Sequence, residues 1–191
     1  KTEDRDGFGT NPVTGNDVDD LNRRMLRGHL QFDLGTAAQL LLTGEYFRQD
    51  DSSGAIHYLR ASYPGVARLP PLGVGGYAVR PRDLASESQV GTDTETWAVT
   101  GTFRWDLTDQ IAITNITNYR KFNSSLFQDL DLSAVISSLA TTGTGTTNQE
   151  RRIDSKQFSN ELQLNYTGDL GSLVLGAGGL ASDAFGDIKG A

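Results

Sequence analysis

The sequence predicts an all-β fold: an antiparallel up-and-down transmembrane β-barrel segment of about six strands in three hairpins. Three observations predict it. Apolar and polar residues alternate with period two, which puts one kind on each face of a strand. Short turns lie at one end of the strands and long polar connections at the other. Aromatic residues gather near strand ends rather than strand centres.

The first hairpin turns at Phe32-Asp33-Leu34-Gly35. Before it, Leu26, Gly28, Leu30 and Phe32 share one face and Arg27, His29 and Gln31 the other. After it, Leu40, Leu42 and Tyr46 oppose Leu41, Thr43 and Glu45. The second hairpin turns at Trp105-Asp106-Leu107-Thr108. Trp97, Val99, Phe103 and Trp105 oppose Thr96, Thr100, Thr102 and Arg104, and then Ile111, Ile113 and Tyr119 oppose Thr114, Asn118 and Arg120. The third turns at Tyr166-Thr167-Gly168-Asp169, with Phe158, Leu162, Leu164 and Tyr166 opposing Ser159, Glu161, Gln163 and Asn165. A glycine-rich sixth strand is expected near Leu173 to Leu180.

Residues 49–93 and 123–154 form the two long polar connections, read as extracellular loops of one barrel domain spanning 1–191. Compact domains rarely carry structureless loops beyond about 15 residues. Loops of that kind on one side only, with tight turns on the other, are the asymmetry of an outer-membrane barrel.

Both tryptophans, Trp97 and Trp105, stand on the same face of one strand, eight residues apart. At about 3.3 Å per residue and a tilt near 40°, that separation is roughly 20 Å of height, close to the ~25 Å apolar band of a barrel. Indole has an apolar body and one N–H donor, so it favours the wet edge of hydrocarbon. The expected turn-side girdle is Phe32, Trp105 and Tyr166, and the loop-side girdle Tyr46, Trp97, Tyr119 and Phe158. A soluble secreted β-sandwich accounts for the alternation but not for the aromatics or the one-sided loops. The opposite face, with Arg27, His29, Glu45, Arg104, Arg120 and Glu161, suits either a wet lumen or a solvated sheet.

Composition narrows the function. A net charge of −7 argues against nucleic acid as partner, because phosphate binding needs a clustered basic face. The absence of cysteine removes thiol chemistry and disulfides. No run approaches the ~18 apolar residues of a transmembrane helix. No signal peptide is legible, and the single methionine is Met25, so the chain is expected to be processed or part of something longer.

"DGFGTNPVTGNDVDDLNRRMLRGHLQFDLG", "LLLTGEYFRQDD", "ITNITNYRKF" and "RIDSKQFSNELQLNYTGDLGSLVLGA" resemble the mid-barrel region of TonB-dependent outer-membrane receptors. The resemblance implies a larger barrel of about 22 strands with a plug, absent from these residues. It also implies uptake of a scarce ligand such as a ferric siderophore, driven by TonB through that plug. The implied partners are outer-membrane lipid, the rest of the barrel and a small-molecule or chelate ligand, in the outer membrane of a Gram-negative bacterium. A porin-like passive channel is the alternative within the membrane class.

No catalytic set assembles, and neither an enzyme nor a cofactor is expected. The acidic clusters at 3–6, 17–20, 50–51 and 129–131 match no calcium-loop spacing. His29 and His57 lie far apart in sequence, so no metal site is expected. Gly73-Val74-Gly75-Gly76 lacks the strand and helix that a phosphate loop needs. Ligand contact is best sought in the first long loop, where His57, Tyr58, Arg60 and Tyr63 gather aromatic and cationic groups. The same cluster also suits a loop packed upon itself.

Overall fold

The computed structural model describes residues 1–57, 72–73, 77–78, 80–84, 86–130, 148–169 and 171–190. Six long strands carry the fold: β4 (Leu21–Leu34), β5 (Ala38–Asp51), β8 (Gly91–Asp106), β9 (Ile111–Asp129), β10 (Asn148–Gly168) and β11 (Gly171–Gly190). A short strand β1 (Thr2–Arg5) pairs with the start of β4, giving one seven-stranded sheet in the order β1-β4-β5-β8-β9-β10-β11. Two small hairpins accompany it: β2 (Gly9–Thr10) with β3 (Asp17–Val18), and β6 (Leu72–Gly73) with β7 (Tyr77–Ala78). The sheet is antiparallel throughout, each long strand pairs with the next in sequence, and among the described residues it does not close on itself.

The three turns fall where the sequence places them. Gly35 at the first takes a φ of 74°, a left-handed conformation that costs glycine nothing. The strands run further than the alternation shows. β5 extends to Asp51 and β8 begins at Gly91, while β9 extends to Asp129 and β10 begins at Asn148, so the strands reach into the stretches 49–93 and 123–154. The sixth strand is longer than expected, pairing with β10 from Gly171 to Gly190 although glycine and alanine dominate its centre. Backbone hydrogen bonding to a regular neighbour holds it, a contribution that side-chain pattern does not register. Lys1–Arg5 joined the sheet for the same reason: Thr2 and Arg5 meet Arg24 and Leu21 in register.

The registers between the long strands run without a bulge from end to end. Because side chains alternate strictly, one register fixes the facing of every residue along it. No second layer covers the sheet among the described residues. The small core lies beyond its loop end, where Val18, Leu84 and Val90 are buried against Ala55.

Candidate functional site

One face of the sheet is apolar and open. Leu30 is 63% exposed and Leu162 51%, and Leu26, Phe32, Leu34, Val99, Leu164, Leu173 and Leu175 share that face and that exposure. Soluble monomers rarely show contiguous apolar surface of this extent. The opposite face carries Arg27, His29, Glu45, Arg104, Arg120 and Glu161, all on one side as their alternation requires. There Arg27 pairs with Glu45, Arg104 with Asp106, and the His29 ring meets Thr43 Oγ1 at 2.9 Å.

All seven expected girdle aromatics lie on the apolar face. Tyr46 faces Trp97 directly across β5 and β8, and Tyr119 faces Phe158 across β9 and β10. The Trp97 and Tyr119 rings touch, with centroids 5.3 Å apart and planes inclined at 46°. The Tyr46 hydroxyl donates to Glu95 Oε1 at 3.1 Å, just beyond the aromatic row. Phe32, Trp105 and Tyr166 lie at the turn end. Phe103, two residues from Trp105, is an aromatic inside the band, and it has no polar tip to keep wet.

The sequence did not reveal a polar island in the middle of the apolar face. Asn160 Nδ2 donates to Thr117 Oγ1 at 2.7 Å, and the Thr117 hydroxyl donates to Asn115 Oδ1 at 3.0 Å. Asn115 Nδ2 in turn donates to the Glu161 carbonyl at 3.1 Å. These three residues break the alternation on paper, yet they satisfy one another. Only the register between β9 and β10, which sets Asn160 opposite Thr117, could have shown it.

The loop end is held by carboxylates. Asp83, nearly buried, receives Nε of Arg80 at 2.9 Å and the Thr10 amide at 3.1 Å. The Arg80 hydrogen bond and, to a lesser degree, the Thr10 amide hold its pKa down to about 2, against the opposing effect of burial. Gly9 makes this contact possible, since a Cβ there would lie 1.7 Å from the Arg82 carbonyl oxygen. Asp51 is also held below its usual range. Burial opposes that shift, but hydrogen bonds from Ser53, Gln49 and the Asn22 amide outweigh it.

His57 belongs to this framework. Its Nε2 meets Asp19 Oδ2 at 2.7 Å, and Nδ1 lies 3.4 Å from the Asp83 carbonyl oxygen. The imidazole thus ties the first long loop to the β2–β3 hairpin. Tyr58, Arg60 and Tyr63, the other expected ligand contacts, lie outside the described residues. No group of three or more metal-ligating side chains occurs among the described residues. Compared with known protein families and with curated proteins, the chain matches none.

Proposed function

We propose that this chain is part of the wall of an outer-membrane β-barrel that transports a small ligand, its apolar face toward lipid and its polar face toward the lumen. One observation carries the reading: the slope of the aromatic rows across the sheet. From Phe32 the register leads through Leu40, Phe103 and Asn115 to Leu162. Trp105 lies two residues beyond that line and Tyr166 four, both toward the turns. Trp105 is two strands from Phe32 and Tyr166 is four, so the row drops by one residue per strand.

A level membrane surface cuts tilted strands in this way. One residue of rise (about 3.3 Å) per strand spacing (about 4.8 Å) corresponds to a tilt of about 35°. That falls at the edge of the ~35–45° found in transmembrane barrels. The loop-side row, from Tyr46 and Trp97 to Tyr119 and Phe158, drops in the same direction. A solvated sandwich gives no reason for two aromatic rows that slope the same way.

Other features support the same reading. The long strands run from 14 to 21 residues, against about 3–10 in ordinary globular sheets. The mutual bonding of Asn115, Thr117 and Asn160 suits hydrocarbon surroundings, where a lone polar group has no water to turn to. An open sheet is not viable in lipid, so β4 and β11 would pair with further strands of the same barrel.

The resemblance to TonB-dependent receptors makes energy-coupled uptake the activity we favour, with Tyr58, Arg60 and Tyr63 as ligand contacts on a loop anchored through His57. The test is uptake by cells carrying the complete barrel, with and without an uncoupler of the inner-membrane proton gradient. Uptake that stops on uncoupling supports a coupled receptor. Uptake that continues points to a passive channel, and a protein found only in soluble fractions removes the membrane reading altogether.

A further inference from the structure

Resting on that membrane reading, we propose that Lys121 and Lys156 form a docking site for the phosphate of an outer-leaflet lipid. The two lysines stand directly opposite each other on β9 and β10, on the apolar face. They lie one row beyond Tyr119 and Phe158, on the loop side, and Trp97 flanks Lys121 from β8. Like charges in direct cross-strand opposition repel. Neither lysine has an ion pair within the described residues.

Most of the carboxylates nearby are engaged elsewhere. Arg48 holds Asp93 through a two-pronged contact, one arm at 2.8 Å. Glu95 accepts from the Tyr46 hydroxyl. Asp154 is reached at 2.7 Å by the Asn123 amide when that amide is turned to donate. Asp183 faces Lys156 from β11 without an ion pair. Among the described residues neither ammonium group makes an ion pair, only Lys156 has a carboxylate directly across from it, and both project where hydrocarbon gives way to headgroups.

A phosphate between them would accept a charge-assisted hydrogen bond from each, replacing repulsion with two attractions. The acyl chains of the same molecule would lie along Leu162 and Leu164, below Phe158 on the same face. A free phosphate uses only the polar half of this surface. A lipid uses both, and a choline would bring a further cation beside two lysines, so we assign the occupant as a phospholipid whose headgroup is anionic rather than zwitterionic.

The test uses the complete barrel in phosphatidylcholine vesicles with a minor fraction of brominated lipid, either phosphatidylglycerol or phosphatidylcholine. The difference between wild type and Trp97→Phe isolates the quenching of Trp97, which adjoins Lys121. The proposal expects Trp97 to favour the brominated phosphatidylglycerol by about tenfold or more in apparent affinity, and Lys121→Gln with Lys156→Gln to abolish the preference. No preference in wild type, or one that survives both substitutions, overturns the docking site while leaving the membrane reading in place. A preference removed by EDTA overturns it as well, assigning the phosphate to a cation near Asp183. If neither lipid quenches Trp97, both readings fall.

Discussion

Trp97 and Tyr119 sit on neighbouring strands, two residues out of register, and their rings nonetheless meet at a centroid separation of 5.3 Å. That diagonal contact is where the loop-side aromatic row steps down from β8 to β9. Aromatic pairs of this kind contribute about 0.5–1.5 kcal/mol beyond their buried area. A double-mutant cycle with Trp97→Ala and Tyr119→Ala, read by urea unfolding of the barrel in lipid vesicles, should return a coupling of that size. A coupling indistinguishable from zero would show that the contact does not contribute to the wall's stability.

Charge should be tolerated on one face only. Val99→Arg places a cation on the apolar face two residues inside Trp97, and its cost should be about 1–3 kcal/mol, between the midplane and interface values for a barrel. Thr102→Arg, on the opposite face of the same strand, should cost less than about 1 kcal/mol. The same unfolding measurement compares them, and equal costs would contradict the assignment of the two faces.

The polar island should respond to partial removal more than to full replacement. Asn160→Leu leaves Asn115 and Thr117 without the side chain that bridges them, at a cost of about 1–3 kcal/mol. Replacing all three with Leu, Val and Leu should recover most of that loss, because an apolar patch in lipid has no unmet hydrogen bonds. A triple variant less stable than Asn160→Leu would mean the island has a role other than satisfying itself.

Asp83 makes the loop anchor sensitive to acid. Its folded pKa of about 2 lies below the ordinary value of 3.8, so its contribution is complete above that ordinary value. It is lost as pH falls from about 4 toward 2. Limited proteolysis should find residues 80–84 protected at neutral pH and cleaved in Asp83→Asn. Protection equal to wild type in that variant would place the anchor elsewhere.

Much of the wall was legible because its rule is local. Period-two alternation places Leu30, Val99 and Leu164 on one face, and the turns follow from Gly35, Asp106 and Gly168. What escaped depends on partners far along the chain. Thr2 to Arg5 form a strand only because β4 offers an edge. The centre of β11, rich in glycine, is a strand because β10 supplies a regular ladder. The contact between His57 and Asp19, far apart in sequence and 2.7 Å apart in space, has no signal in the sequence. Asn115 and Asn160 likewise look like breaks in a pattern until their register makes them a pair.

The most direct test of the central claim exploits the absence of cysteine from the chain. Single cysteines from 97 to 105 on β8, spin-labelled in the complete barrel in vesicles, report collision with oxygen in lipid and with a water-soluble nickel chelate. Positions 97, 99, 101, 103 and 105 should favour oxygen, the even positions should favour nickel, and oxygen access should peak between the tryptophans. Odd positions shielded from both reagents would reveal a dry protein core on that face and contradict the barrel wall.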